Sequence, residues 1–149
     1  MIDTLYIEQA IATHPRVREI GLRFPSANQV MCERYGAVFN RKSQNFRLQK
    51  KNPSLILADK FDNHVLETPE GYGIRGRNNY YFAHMLNCIY DCRYCFLQGM
   101  YRSAHYVLFV NYDEFFSAMD AKLMAHDGED VWFFSGYDCD SLALDPLTG

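Results

Sequence analysis

The chain has 149 residues, a length suited to one domain, and its 48% hydrophobic and 15% aromatic content is enough for a packed core. A net charge of −3 carries no general signature of a nucleic-acid binder, and no apolar run approaches the roughly 18 residues of a membrane span. Met1-Ile2-Asp3-Thr4 has neither the basic region nor the apolar core of a secretory signal, and five cysteines are an odd number for a disulfide framework. A cytoplasmic protein with free thiols and no membrane association is the expectation.

In chain order, Thr4 to Glu8 is rich in β-formers and predicts a short strand. Pro15 suits the first turn of a helix, Val17, Ile20 and Phe24 fall at helical spacing, and Pro25 ends the pattern. Val30 to Glu33 and Ala37 to Phe39 predict two short strands with Gly36 as the turn between them, and Cys32 reads as a small core residue. Asn40 to Pro53 is polar and carries Arg41, Lys42, Arg47, Lys50 and Lys51 around Phe46. Such a stretch can contact phosphates and stack on a base, but a solvated connector is the plainer expectation. Leu55 to Ala58 predicts a buried strand. Gly71-Tyr72-Gly73-Ile74-Arg75-Gly76 spells a dinucleotide fingerprint in the wrong context, after Thr68-Pro69-Glu70 and before Asn78-Asn79-Tyr80, and reads as a flexible glycine loop.

Tyr80 to Leu86 predicts the strand that delivers Cys88-Ile89-Tyr90-Asp91-Cys92-Arg93-Tyr94-Cys95. Thiolates hold iron–sulfur clusters, and three on one loop can ligate three irons of a cubane and leave the fourth open to a small molecule. A structural zinc site using His84 or His105 as a further ligand is the alternative, although two short Cys pairs or a Cys pair with a His pair are absent. Tyr106 to Val110 predicts a strand. Asn111 and Glu114 form a capping box for a helix whose buried stripe is Phe115, Met119 and Leu123. Val131 to Phe134 predicts a buried strand ending in a Ser135-Gly136 turn, from which Asp138, Cys139, Asp140 and Ser141 emerge on the rim of the cysteine loop.

The spacing C-x3-C-x2-C, with Tyr94 before the last Cys, resembles the radical S-adenosylmethionine enzyme motif. The resemblance implies that Cys88, Cys92 and Cys95 hold a [4Fe–4S] cluster, that S-adenosylmethionine chelates the open iron, and that reductive cleavage yields a 5'-deoxyadenosyl radical. It places Tyr94 near the adenine, and Ser135, Asp140 and Ser141 along the cofactor rim. It also implies an electron donor such as flavodoxin or ferredoxin.

From Tyr80 to Thr148 the chain is similar, more narrowly, to the spore photoproduct lyase family, which repairs a UV-induced thymine dimer in DNA. Cys88 to Gln98, Asp113-Glu114-Phe115 opening a helix, the Ser-Gly strand end with Asp140, and Asp145-Pro146-Leu147-Thr148 carry this resemblance. It implies an α/β fold: residues 1–79 as a small α/β extension with a basic connector, and 80–149 as the N-terminal portion of a partial (β/α) barrel. A full barrel takes about 250 residues, so a fragment of a longer protein is expected. Hydrogen return in that family uses a tyrosine directly after the third cluster Cys and a cysteine after the second barrel strand. Here those places hold Phe96, which has no O–H, and Tyr137, with Cys139 two residues on as a displaced donor. DNA is therefore one expected partner. Another substrate, or a zinc-stabilised interaction module, is the alternative.

Overall fold

The computed structural model describes residues 2–74, 77–90 and 92–148. It is a mixed α/β structure built on two sheets. The larger takes its strands in the order β2 (Asn28–Cys32), β1 (Thr4–Glu8), β3 (Leu55–Ala58), β7 (Tyr106–Phe109), β6 (Met85–Leu86). The first four are parallel, and β6 closes the edge antiparallel to β7, with Met85 opposite Leu108 and Leu86 opposite Val107. The smaller sheet has the order β4 (Leu66–Glu67), β5 (Asn79–Phe82), β8 (Trp132–Ser135).

The strand sequences explain this division. Leu55-Ile56-Leu57-Ala58 and Tyr106-Val107-Leu108-Phe109 are continuous apolar runs, and all eight residues are buried. A parallel strand covered on both faces needs such a run, because neither face meets water. One face packs Leu5, Ile7, Val17, Ile20, Leu57, Met85, Leu108 and Cys139 together. The other gathers Phe39, Ile56, Val107, Phe109 and Phe115. Strands β6 and β7 thus share a sheet with β1 to β3, on the other side of residue 79 in sequence.

The first helix, α1 (Pro15–Arg23), follows the expected pattern. Pro15 occupies its first turn, the His14 Nδ1 atom accepts from the Arg16 N–H at 3.2 Å, and Val17 and Ile20 are buried. It stops at Arg23 because Phe24 precedes Pro25 and is disfavoured from helical geometry.

Several local expectations give way to tertiary context. Ala37 to Phe39 is helical, within α2 (Tyr35–Phe39). The buried Glu8 carboxylate accepts from the Tyr35 N–H at 3.3 Å and Phe39 is driven into the core, which outweighs the β preference of Val38 and Phe39. The basic connector contains α3 (Phe46–Lys51), whose N-cap Asn45 accepts from the Leu48 N–H at 3.1 Å. The expected strand from Tyr80 to Leu86 is two strands in two sheets. Residues 83 and 84 carry the chain between them, and the His84 carbonyl accepts from the Phe109 N–H at 2.9 Å.

In α4 (Tyr112–Ala125), Phe115 is buried, but Leu123 is 47% exposed, so the stripe does not run its length. Asn111 stands at the N-cap without capping; its side chain instead bridges Lys60, accepting from N–H and donating to C=O, both at 2.9 Å. The strand predicted as buried at 131–134 is β8, an edge strand with Trp132 40% exposed. In the glycine-rich stretch, Gly71 has φ +86° and Ile74 donates to Asn79 Oδ1 at 3.1 Å; Arg75 and Gly76 lie outside the described residues. A short helix, α5 (Asp145–Thr148), ends the described chain and is tied to α1 by Arg16 Nη1 donating to the Thr148 carbonyl at 3.0 Å.

Candidate metal centre

The cysteine loop leaves β6 and returns into β7, neighbouring strands of one sheet, so its two ends are fixed close together. Asn87 makes the departure. It adopts a left-handed conformation with φ 64°, and its side-chain amide donates to the carbonyls of Ser103 and His105, each at 2.7 Å. Asparagine tolerates this backbone region better than other non-glycine residues and supplies two donors for the returning strand. The loop then turns tightly, with Cys95 N–H donating to Cys92 O at 3.0 Å and Gln98 N–H to Cys95 O at 3.3 Å; Gly99, at φ +83°, redirects it.

Cys88, Cys92 and Cys95 are free and half-buried, and Cys88 packs against the core. Asp91, between the first two, lies outside the described residues. Among the described residues, no three His, Cys, Asp or Glu side chains converge tightly enough to hold a single ion. A cubane cluster asks for a different arrangement, one thiolate per iron corner, spread around a larger body. Three unbridged thiols on a pinned loop fit that demand in chemistry. His105 is otherwise engaged: its Nδ1 accepts from Ser54 N–H at 3.0 Å and its ring packs against Tyr6. His84 is half-buried at the crossing between the two sheets, its ring against Phe82 and Tyr112, and burial lowers its pKa.

The turn after β8 carries Cys139 into the core cluster against which Cys88 packs. Gly136 has φ +74°, and a Cβ there would stand 2.7 Å from Cys139 O and 2.8 Å from Ser141 N, so only glycine fits the turn. Cys139 is consequently buried, in the same core cluster as Met85 and against which Cys88 packs. Burial pushes its thiol up to about 12, with smaller contributions in the same direction from Cys88, Asp138 and Asp140. Asp138 hydrogen-bonds the Tyr101 hydroxyl and feels the Lys60 ammonium, yet burial outweighs both and raises its pKa. Lys60 is lowered by burial.

The remaining expected site residues make separate local contacts and do not converge on the thiols. Tyr137 lies against Tyr81, ring centroids 4.5 Å apart. The Asp140 carboxylate accepts from Leu142 N–H at 2.9 Å, closing a local turn, and Ser135 is exposed at the end of β8. Tyr94 is 93% exposed and Phe96 76% exposed, so neither ring packs on the protein. Sequence reading missed Asn87, Gln49, Gln98 and Tyr101, and read Lys50 only as part of the basic stretch. Their amide, ammonium and hydroxyl groups work across more than one element, and no local spacing announces that.

Among the described residues, no helix is long and apolar enough to cross a membrane. No family profile and no curated protein sequence matches the chain. Solved structures do. A Cys-to-Ser variant of spore photoproduct lyase superposes with TM-score 0.79 at 17% identity over 99% of this chain and 43% of its own. A doubly substituted spore photoproduct lyase with bound AdoMet and dinucleoside spore photoproduct gives TM-score 0.80 at 16% identity, with the same coverage. A Tyr-to-Phe variant of that enzyme gives 0.79 at 18%. The chain therefore has the fold of a portion of spore photoproduct lyase, and it spans 43% of the length of the structures it matches.

Proposed function

We propose that this chain is the cluster-bearing part of a radical S-adenosylmethionine protein of the spore photoproduct lyase type. In this reading residues 80–149 begin the partial barrel and residues 1–79 are an extension that shares a sheet with it. The observation that carries the reading is the coincidence of two independent features. The fold match covers 99% of the chain, and the C-x3-C-x2-C triad sits on a loop anchored at both ends by one asparagine.

Cys88, Cys92 and Cys95 would hold a [4Fe–4S] cluster, with S-adenosylmethionine at the open iron. Bound there, the cluster supplies one-electron reducing power for cleaving a carbon–sulfur bond of the cofactor. The chain's own residues do the rest. Asn87 fixes the loop's span. Exposed Tyr94 offers a flat apolar face beside the triad, suited to an adenine ring. Ser135, Asp140 and Ser141 line the rim, and an electron donor such as flavodoxin or ferredoxin docks on the protein's surface.

The substrate proposed is a thymine photolesion in DNA, with Cys139 as the proposed hydrogen donor. A bonded S–H is weak enough to give a hydrogen atom to a carbon radical, and Cys139 is the cysteine that packs in the same core cluster as Cys88 contacts. Phe96 can relay nothing because it lacks an O–H. A different substrate is the reading favoured by that departure. A cytoplasmic setting is proposed with it.

Anaerobic reconstitution with iron and sulfide, followed by iron counting and electron paramagnetic resonance, tests the cluster. Close to four irons per chain and a signal that changes on adding S-adenosylmethionine are expected. A Cys92→Ala variant that still holds the full cluster would defeat the ligand assignment. Incubation with dinucleoside spore photoproduct, reductant and S-adenosylmethionine then separates substrates. Released thymine dinucleotide supports repair, whereas 5'-deoxyadenosine without it rejects repair.

A further inference from the structure

The cysteine loop is held from outside by α3, the helix inside the basic stretch. Lys50, in the last turn of α3, donates from Nζ to Gln98 Oε1 at 3.3 Å, and Gln98 Nε2 donates to the Tyr90 carbonyl at 3.0 Å, between the first two cysteines of the motif. The helix itself is fixed by a run of amides. Gln49 Oε1 accepts from Ala104 N–H at 3.0 Å, Gln49 Nε2 donates to Gln44 Oε1 at 2.7 Å, and Gln44 Nε2 donates to Phe39 O at 2.7 Å. Lys50, Asn87, Cys88 and Gln98 line one narrow cavity between α3 and the loop. Lys50 is half-buried there, whereas its neighbours Arg47 and Lys51 are exposed.

We propose that Lys50 is a positioning residue whose ammonium group braces the cysteine loop and raises the reduction potential of the cluster carried on it. The inference rests on the cluster reading above. A cubane core with three thiolates is an anion and gains further negative charge on reduction. In a partly desolvated site a nearby fixed cation favours the more negative state, and the potential of such clusters responds to charge, hydrogen bonding and solvent exposure. Outer partners of this kind also orient the ligands they support. Lysine in the last turn of α3 also lies at the helix end where a cation is favourable, so its placement costs the helix nothing.

The test compares reconstituted wild-type protein with Lys50→Met, Lys50→Arg and Gln98→Leu by redox titration followed by electron paramagnetic resonance. Lys50→Met is expected to shift the balance toward the oxidised cluster by up to about tenfold at fixed ambient potential, about 59 mV for one electron. Lys50→Arg keeps the charge and retains most of the wild-type potential. Gln98→Leu loosens the loop, seen as faster amide hydrogen exchange of residues 88–98 in the metal-free protein, but moves the potential less than Lys50→Met. An unchanged potential in Lys50→Met overturns the proposal. So does an equal shift in Gln98→Leu, which would make bracing alone the cause. If Lys50→Met fails to retain iron, Lys50→Gln supplies the neutral variant. Wild-type protein that takes up no cluster sinks the cluster reading itself, and this proposal with it.

Discussion

The side chain of Asn87 donates to the carbonyl of Ser103 at 2.7 Å, joining residues sixteen apart across the mouth of the cysteine loop. Its second donor goes to His105 O, also at 2.7 Å. With one residue spanning both ends, the three thiols are presented on a closed loop whose width is set by the β6–β7 pairing and not by the cysteines themselves.

Removing that brace should open the loop before it unfolds the sheet. Asn87→Ala loses two hydrogen bonds, one buried and one part-buried, and places a residue with a Cβ and no polar compensation at φ 64°; a loss of about 2–4 kcal/mol is expected by urea titration. Asn87→Gly keeps the backbone conformation and loses only the bonds, so it should fall between wild type and Asn87→Ala. Hydrogen exchange should quicken at residues 103–105 in both. Equal stability of all three proteins would contradict the brace.

Gly136 should accept no side chain. At φ +74°, with a Cβ meeting Cys139 O at 2.7 Å, Gly136→Ala is expected to cost about 1–3 kcal/mol and to expose Cys139 to thiol reagents. A thermal midpoint within a degree of wild type, with Cys139 still protected, would show that the turn relaxes freely.

Asn111 separates a bridge from a cap. As an N-cap, aspartate would replace it with little loss. As the bridge seen here, it needs both an acceptor for Lys60 N–H and a donor for Lys60 C=O, and aspartate keeps only the first. Both Asn111→Asp and Asn111→Ala should therefore lose stability, by about 1–3 kcal/mol. Wild-type stability in Asn111→Asp would favour the cap.

Glu8 gives stability a pH dependence. Burial raises its pKa above 4.5, against the hydrogen bonds from the Tyr35 and Asp59 backbone and the pull of Arg34, while Asp59 adds repulsion. The folded state therefore binds the proton more tightly than the unfolded state. Its contribution to stability is fully present below pH 4.5 and is lost as pH rises through the folded pKa. The urea midpoint should decline across that window, and Glu8→Gln should flatten the decline. Some slope of the same sign remains from Asp138, also raised by burial. An unchanged slope in Glu8→Gln would assign the dependence elsewhere.

Enrichment in β-formers made β1 legible in the sequence, continuous apolar runs did the same for β3 and β7, and proline at the start and after the end did so for α1. Each of these signals lies within a few neighbouring residues, as does the C-x3-C-x2-C spacing that points to a cluster. Tertiary structure alone decided what local pattern leaves degenerate. Ala37 to Phe39 became helix because Glu8 offers its carboxylate to Tyr35. Tyr80 to Leu86 divided because two different sheets had places for its halves. Asn111 turned from its helix to Lys60, and the polar stretch around Phe46 folded against the cysteine loop through Gln49 and Lys50. Side-chain hydrogen bonds to groups far apart in sequence leave no periodicity behind, so the residues that hold the candidate centre became visible only once the chain was folded.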